Sequence, residues 1–154
     1  MVKAISLWQP WATIWLLSDP DEKLFETRHW YTRHRGRLLI HAAKKQDGEV
    51  RECLGEDVTR AVLGRHGLMV EGLGYGAIIG EIDLVDCRQM NQLPAPSIRD
   101  RHWGFWSPER FGWKRGPGPV LYPKAIPYRG AQALFDVPDS VLQEVADGNC
   151  GRSL

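Results

Sequence analysis

Short stretches in which apolar and polar residues alternate run through much of the chain and predict strands. The clearest is GAIIGEIDLVD at residues 76–86, where an internal glycine suits a bent strand of a small barrel. Similar patterns predict further strands at residues 2–8, 23–30, 36–43 and 133–137. The intervening chain at residues 89–119 is rich in Pro, Gly and Trp, which predicts loops mixed with short strands, and PKAIPYRG predicts an extended segment.

Two other segments place apolar residues at helical spacing. Residues 10–17 predict a short helix with an aromatic face, and residues 48–65 predict one amphipathic helix in which Gly55 is a weak point. The dipeptide Pro138-Asp139 predicts the start of a short terminal helix, with the aspartate as its cap. Several strands with few helices predict an α+β fold, a small β-barrel with flanking helices.

Length and composition fit one folded domain. The chain has 154 residues, enough to bury a core, and no repeat or long linker divides it. We therefore expect a single domain at residues 1–147 and a flexible tail at residues 148–154. No run approaches the roughly 18 apolar residues that a membrane span needs, and the apolar N-terminus lacks a cleavage site. We expect a cytoplasmic protein without a membrane partner.

The cysteines and histidines show no pattern that would build a disulfide framework or a metal site. Cys53, Cys87 and Cys150 lie far apart and form no C-x-x-C pair, and the five histidines are scattered. The Walker loop, the G-x-S-x-G elbow, the H-E-x-x-H motif and the dinucleotide-binding fingerprint are absent from the sequence. We therefore predict reduced thiols, no metal and no cofactor.

The net charge of +1 hides an uneven distribution of charge. Residues 27–45 contain six Lys or Arg and no acid, residues 46–86 contain nine acids and three Arg, and residues 99–129 are basic again. Two basic segments separated by an acidic one could fold into one basic face that attracts phosphates. The competing interpretation is a set of solvated surface charges.

The most unusual chemistry is concentrated in residues 5–44, around Lys23, Glu26 and Arg28. Strand alternation puts Glu26 and Arg28 on one face, where the carboxylate can hold the guanidinium or accept an N–H from a base. Arg28 can also bind a phosphate through two parallel hydrogen bonds. A lysine taken out of water beside an arginine can act as a base or a nucleophile. The competing interpretation is an ion-pair network that ties this strand to the preceding helix.

Aromatic and basic residues surround this triplet in the sequence. Trp8 and Trp30 lie near segment ends and are candidates for stacking on bases. The pair Arg35-Gly36 would let the backbone approach a ligand beside a cation, and it can equally be an ordinary turn. His41 stands inside an apolar strand, where a lone histidine is more often a satisfied core residue than a ligand contact.

These segments together resemble the ASCH family. The resemblance rests on SLWQPWA, then K-x-x-E-x-R, then W-Y-T-x-H-R-G-R-L-L-I-H-A-A-K in the N-terminal part. The later GAIIGEIDLVDC resembles the long strand of that family, and IPYRGAQALFDVP resembles its closing segment. The likeness extends over roughly residues 4–138. It implies a PUA-like β-barrel with a helix-lined cleft that binds RNA, DNA or a modified nucleoside. The residues that match the cleft are Gln9, Pro10, Lys23, Glu26, Arg28, Arg35 and Gly36.

The resemblance also implies two kinds of enzyme chemistry. Some relatives are amidohydrolases of N4-acetylcytidine that use the lysine and the threonine of a K-x-x-T-x-R strand. This chain keeps the lysine as Lys23 but has Glu26 at the threonine position, and Thr27 would face the other side of a strand. The amidase interpretation therefore loses its nucleophile. Another relative resembles a metal-independent ribonuclease, for which Lys23, His41 or Lys44 would have to supply the base or the cation.

Three functions remain open from the sequence. The preferred one is a monomeric module that binds RNA, single-stranded DNA or a modified nucleoside. The second is a hydrolase, a ribonuclease or an N4-acetylcytidine amidohydrolase, with Lys23 and Glu26 as its catalytic residues. The third is an interaction module with a vestigial cleft. The predicted nucleic-acid-binding residues are Trp8, Gln9, Pro10, Lys23, Glu26, Arg28, Trp30, Arg35, Gly36, His41 and Lys44.

Overall fold

The computed structural model describes residues 1–143, in which seven strands and four α-helices are accompanied by a further helical segment at residues 139–143. The strands are β1 (Val2–Leu7), β2 (Phe25–Arg28), β3 (Gly36–Ala42), β4 (Ala77–Gln89), β5 (Phe111–Arg115), β6 (Val120–Pro127) and β7 (Leu134–Val137). The helices are α1 (Trp11–Ile14), α2 (Gly48–Gly55), α3 (Asp57–Arg65) and α4 (Ile98–His102), with 3-10 turns at Val70–Gly72 and Met90–Gln92. Residues 139–143 are helical, as Pro138-Asp139 predicts. The predicted tail at 148–154 and Cys150 lie outside the described residues.

The strands form one curled sheet in the order β2-β5-β4-β3-β1-β7, with β6 paired to β4. β1 and β3 are parallel, and the other strand pairs are antiparallel. β2 and β7 are the two ends of this order, and within the described residues they do not pair with each other. The mixed α+β fold is as predicted, but the sheet is not closed into the expected barrel. One side of the molecule is consequently open between the two end strands.

The long strand β4 organises the sheet because it pairs with β3, β5 and β6. Its register shifts opposite β6 between Ile78 and Gly80, and this irregularity bends the strand. A Cβ atom at Gly80 would lie 2.2 Å from the Val120 carbonyl oxygen and 2.7 Å from a Leu16 methyl group. Only glycine therefore permits this close packing, which confirms the bent strand predicted from the sequence.

The predicted single helix at residues 48–65 is wrong, because the structure has two helices there. α2 ends at Gly55, and Glu56 adopts an extended conformation with φ −68° and ψ 136° before α3 begins at Asp57. The Asp47 side chain caps α2 by accepting a hydrogen bond from the backbone N–H of Val50. The break lies at the glycine that the sequence marked as a weak point, since glycine is a poor helix former.

Asp21 fixes the chain just before β2. Its buried carboxylate accepts hydrogen bonds from Arg65 at 2.7 Å and His66 at 3.0 Å, and Arg99 lies 3.0 Å away. The Arg65 hydrogen bond is the largest of the effects that hold the pKa of Asp21 below its usual value. These contacts join α3 and α4 to the segment that leads into β2, so they set the position of Glu26.

Tryptophan side chains fill much of the core under the sheet. Trp15 and Trp113 are completely buried. Trp30 packs edge-on against Trp113 with ring centroids 4.7 Å apart, and its carbonyl oxygen accepts a hydrogen bond from the Trp113 indole. Trp30 thus has one face in the core and the other toward the open side of the sheet.

Of the helices in residues 1–143, none has both the length and the apolar character that crossing a bilayer requires.

Candidate nucleic-acid interface

A groove lies on the open side of the sheet. There the end of β2 comes beside the residue that follows β1 and the residues that precede β7. Arg28 lines one wall of the groove, Trp8 lines a second wall, and residues Ala131–Ala133 line a third. The groove is therefore a direct result of the unclosed sheet, since no strand among residues 1–143 pairs at this position.

Three adjoining cavities make up the groove, and Ser6 lines all of them. Their volumes are about 620, 540 and 580 Å³, each within the range of small-molecule sites. The first, here called the Glu26 cavity, is lined by residues that include Trp8, Glu26, Thr27, Arg28, Trp103 and Phe105. The second, the Trp30 cavity, is lined by residues that include Trp8, Arg28, His29, Trp30, Gln132 and Ala133. The third, the His41 cavity, is lined by residues that include His41, Lys44, Lys45, Arg129, Gly130 and Gln132.

Glu26 places a carboxylate at the base of the Glu26 cavity. Its residue is only 7% exposed, and Lys23 Nζ lies 3.3 Å from its Oε2 atom. Lys23 itself is fully buried, donates a further hydrogen bond to the Phe25 carbonyl and lines none of the three cavities. Among the described residues Oε1 of Glu26 has no hydrogen-bond partner. Lys23 therefore holds one carboxylate oxygen from behind, and the other is available to a ligand.

Arg28 lies on the same side of β2 as Glu26, as the strand alternation predicts, and it lines two of the cavities. Its Nε atom is buried and has no hydrogen-bond partner within the described part of the chain. Burial, and next the nearby positive charge of Arg28, lower the pKa of Arg110. Two guanidinium groups thus lie close to one carboxylate. A buried unpaired N–H is uncommon in proteins, and the part of the Arg28 side chain that lines the two cavities is where an anion would bind.

Phe105 is an exposed aromatic ring at the mouth of the Glu26 cavity, 65% accessible to solvent. The Arg110 guanidinium lies 4.7 Å from the ring centroid, and the Phe105 backbone N–H donates to the Thr27 hydroxyl at 2.9 Å. Thr27, predicted to face away from Glu26, nevertheless lines the same cavity, and its hydroxyl holds this loop. Phe105 is not among the residues predicted from the sequence, although its position in the aromatic stretch Trp-Gly-Phe-Trp is a signal that could indicate it. Trp8 is the other accessible ring, 37% exposed.

His41 and Ser6 face each other across β3 and β1. His41 Nε2 lies 2.7 Å from the Tyr128 carbonyl oxygen, so this nitrogen carries the hydrogen, and Nδ1 accepts from the Ser6 hydroxyl at 2.9 Å. Burial lowers the pKa of His41, which favours the neutral ring that this pattern requires. A Cβ atom at Gly130 would lie 2.6 Å from the imidazole. His41 is thus a satisfied, enclosed residue at the floor of its cavity.

Three exposed cations surround the His41 cavity: Lys44, Lys45 and Arg129. Within residues 1–143 none of them forms a salt bridge, whereas Arg37 is paired with Glu81. The Lys45 ammonium lies 5.9 Å from the centroid of the Trp8 ring, which joins this cationic group to the other two cavities. Lys44 is the one member of this group that the sequence analysis selected.

Gln9 and Pro10 lie outside the groove. Gln9 is completely buried, its amide donates to the Gly74 carbonyl at 3.0 Å, and its Oε1 accepts from the Thr13 backbone N–H at 3.0 Å. Pro10 is the residue before α1 and has no side chain that can cap it. Gln9 therefore supplies the cap that the proline cannot, and it ties α1 to the loop before β4.

Arg35 and Gly36 form the turn into β3 and line none of the three cavities. The Arg35 guanidinium donates to the Thr32 carbonyl at 3.0 Å, and Asp86 lies 4.0 Å away. Gly36 has φ 98°, a conformation that favours glycine. A turn that needs glycine accounts for this pair.

Within residues 1–143, no group of three or more His, Cys, Asp or Glu side chains is arranged to hold a metal ion.

Known proteins share sequence with part of this chain. The chain is 32% identical over 89 residues to human activating signal cointegrator 1 and equally so to the mouse protein. The match covers 58% of this chain but only 15% of the length of these relatives. It therefore concerns one part of a much longer protein.

Solved structures show the same fold. An ASCH protein from Zymomonas mobilis matches with a TM-score of 0.51 at 13% identity, covering 94% of this chain and 93% of that one. A single-substitution variant of the same protein matches with a TM-score of 0.50 at 15% identity, covering 94% and 96%. The fold is accordingly shared with these ASCH proteins, and it combines α and β structure with an open sheet. A sequence profile of the ASCH domain matches residues 5–114, and the chain belongs to the ASCH domain family.

Proposed function

We propose that the groove binds a single-stranded nucleic acid, RNA or DNA, or a modified nucleoside, with a base in the Glu26 cavity. The observation that carries the proposal is the buried, unpartnered Nε of Arg28 beside the buried carboxylate of Glu26. One group attracts a phosphate and the other accepts an N–H from a base. Membership of the ASCH family supports the same reading.

Glu26 gives the proposed pocket a preference among bases. A carboxylate only accepts hydrogen bonds, so it favours a base that presents an amino group, such as cytosine or adenine. Uracil presents a single N–H between two carbonyl oxygens, which would repel the carboxylate. Because Lys23 holds Oε2 from the interior, the direction of Oε1 is fixed before the ligand arrives.

Arg28 and the accessible rings provide the rest of the proposed contact. A guanidinium binds a phosphate through two parallel hydrogen bonds and stays charged at all relevant pH values. Phe105 and Trp8 both line the Glu26 cavity and offer faces on which a base can stack, worth ~1–3 kcal/mol per base. A base inside a duplex cannot reach a carboxylate as enclosed as Glu26. The ligand is therefore unpaired at this position.

Hydrolysis by Lys23, as a ribonuclease or an amidohydrolase, is the alternative and stays a prediction. Lys23 is fully buried and its ammonium is bonded to Glu26 and to the Phe25 carbonyl, which favours a positioning role over direct contact with a substrate. Product formation in the binding experiment below, if lost in a Lys23→Met protein that thermal melting shows to be folded, would support the enzyme instead.

The test measures binding of a fluorescent single strand of about eight nucleotides, as RNA and as DNA, and of cytidine monophosphate, with EDTA present. N4-acetylcytidine is included as the modified nucleoside, and products are followed in parallel. Arg28→Gln removes the anion contact and should weaken binding of the strand and of the mononucleotide at least about tenfold. Arg33→Gln, an exposed arginine without an ion pair in residues 1–143, is the matched control. Equal binding by the two variants would contradict the proposal.

A further inference from the structure

The cationic end of the groove has no role in the proposed base pocket. Lys44, Lys45 and Arg129 line the His41 cavity, on the far side of Ser6 from Glu26. All three are exposed, and among the described residues none has an acidic partner. Three unpaired cations on one wall raise the local concentration of anions. The neighbouring imidazole of His41 is neutral by its hydrogen-bond pattern and adds no charge.

The cavities form one continuous path. Trp8 and Arg28 line both the Glu26 cavity and the Trp30 cavity, and Gln132 lines both the Trp30 cavity and the His41 cavity. Lys45 approaches the Trp8 ring to 5.9 Å, so the cations begin where the aromatic surface ends. An extended ligand can consequently follow the groove from Glu26 to Arg129 without leaving the surface.

This order of groups matches the repeating chemistry of a single strand. From one end to the other the groove offers a base acceptor, a guanidinium, an aromatic ring and then three cations. Single-strand binding sites combine stacking rings with a positive groove that follows the backbone. A free nucleoside would leave the cationic half empty, whereas the phosphodiesters of an adjoining segment would fill it.

We infer that Lys44, Lys45 and Arg129 hold the backbone of the same strand whose base occupies the Glu26 cavity, so that the ligand is an oligonucleotide and not a free nucleoside. This inference rests on the proposed function and extends it to the class of ligand. Each phosphate contact on a single strand contributes a salt-dependent term with a slope of about −0.7 in log K against log salt. A mononucleotide in the Glu26 cavity would not sense these cations through contact.

The test compares two double variants of the whole chain. Lys44→Ala/Arg129→Ala removes two cations from the His41 cavity. Arg33→Ala/Lys124→Ala removes the same residue types from exposed positions that line none of the three cavities. Binding of a single strand of about eight nucleotides, as RNA and as DNA, and of cytidine monophosphate is measured across salt concentrations. Thermal melting checks that both variants are folded.

We expect Lys44→Ala/Arg129→Ala to bind the strand on the order of tenfold more weakly at about 0.1 M salt, with the salt slope reduced by roughly 1.4. Its affinity for cytidine monophosphate and all properties of the control should equal those of the wild type. Strand binding as strong as that of the control would overturn the inference, and the effect of Arg28→Gln on the mononucleotide would still support the proposed function.

Two other outcomes separate the claims further. Weaker strand binding in Lys44→Ala/Arg129→Ala, with no effect of Arg28→Gln, would overturn both, because the strand would then not enter the Glu26 cavity. No binding of any ligand by the wild type would also overturn both.

Discussion

The two ends of the groove are built in opposite ways. At the Glu26 end the polar groups are enclosed: Lys23 holds one oxygen of the Glu26 carboxylate, and the Thr27 hydroxyl accepts a hydrogen bond from the Phe105 backbone N–H. At the His41 end the charged groups, Lys44 among them, are exposed and unpaired within residues 1–143. Enclosed groups with fixed directions can discriminate between ligands, whereas mobile surface charges contribute attraction that depends on salt. The comparison teaches that fixed polar groups and free surface charges are located in different halves of one groove.

The enclosed end is broken most directly by removing its cation. Lys23→Met leaves the Glu26 carboxylate buried without the ammonium 3.3 Å away. We expect the free energy of unfolding to fall by ~3–5 kcal/mol, because a buried charge without its partner is costly. Urea denaturation measures this loss. The double variant Lys23→Met/Glu26→Gln should recover most of it, and Lys124→Met should change nothing. A fully stable Lys23→Met protein would show that the pair is not a structural unit.

The second prediction concerns the rigid floor beneath the exposed end. Gly130→Ala would place a methyl group 2.6 Å from the His41 ring and 3.1 Å from the Ser6 hydroxyl. We expect a loss of ~1–3 kcal/mol in urea denaturation, since the enclosed imidazole cannot move aside. Gly64→Ala is the matched control: it lies within α3, nothing is within 4 Å, and alanine should stabilise the helix slightly. Equal effects of the two substitutions would mean that His41 and Ser6 can move to accommodate the added methyl group.

A third prediction sharpens the contrast between stability and binding. Phe105→Ala removes an exposed ring whose main contact is Arg110, so the melting temperature should change little. Strand binding should weaken by ~1–3 kcal/mol if a base stacks there. The aliphatic variant Phe105→Leu keeps bulk without a flat face and should bind nearly as weakly as the alanine variant. Unchanged affinity in both would remove Phe105 from the interface.

The smallest effect is expected from pH. Burial lowers the pKa of His41, whereas in the unfolded chain its pKa is about 6.5. As pH falls from about 7, the unfolded chain takes up the proton first. The free energy of unfolding should therefore decrease until the folded pKa is passed. Urea unfolding at several pH values should show this slope in the wild type and a shallower one in His41→Gln. A slope that the variant leaves unchanged would assign it to other groups.

Local patterns in the sequence predict the elements of this fold better than their arrangement. Alternation predicts β1, β3 and β4, and it places Glu26 and Arg28 on one side of β2, because the period of a strand is a local property. The openness of the sheet depends on how far the strands curl and on which ends meet. That information is spread over contacts between distant segments and has no local signal.

The candidate site shows the same division. The triplet around Glu26 stands out within a few residues of sequence, so it could be selected, although the burial of Lys23 could not. Phe105 and Arg129 come from loops about 80 and 100 positions further along. The pairing of β2 with β5 brings Phe105 near, and the pairing of β4 with β6 brings Arg129 near. Gln9 was selected for its motif, yet its hydrogen bonds show a helix cap, which depends on the loop at Gly74.

The unclosed sheet also has a mechanical consequence. Within residues 1–143 no hydrogen bond joins the β2 side of the groove to the residues before β7, so a ligand that touches both sides would link early and late parts of the chain. Such a ligand would link the two sides of the open edge of the sheet. At ligand concentrations above the dissociation constant, the free energy of unfolding rises in proportion to the logarithm of the ligand concentration. A ligand bound across this open edge would therefore be detected as an increase in the free energy of unfolding.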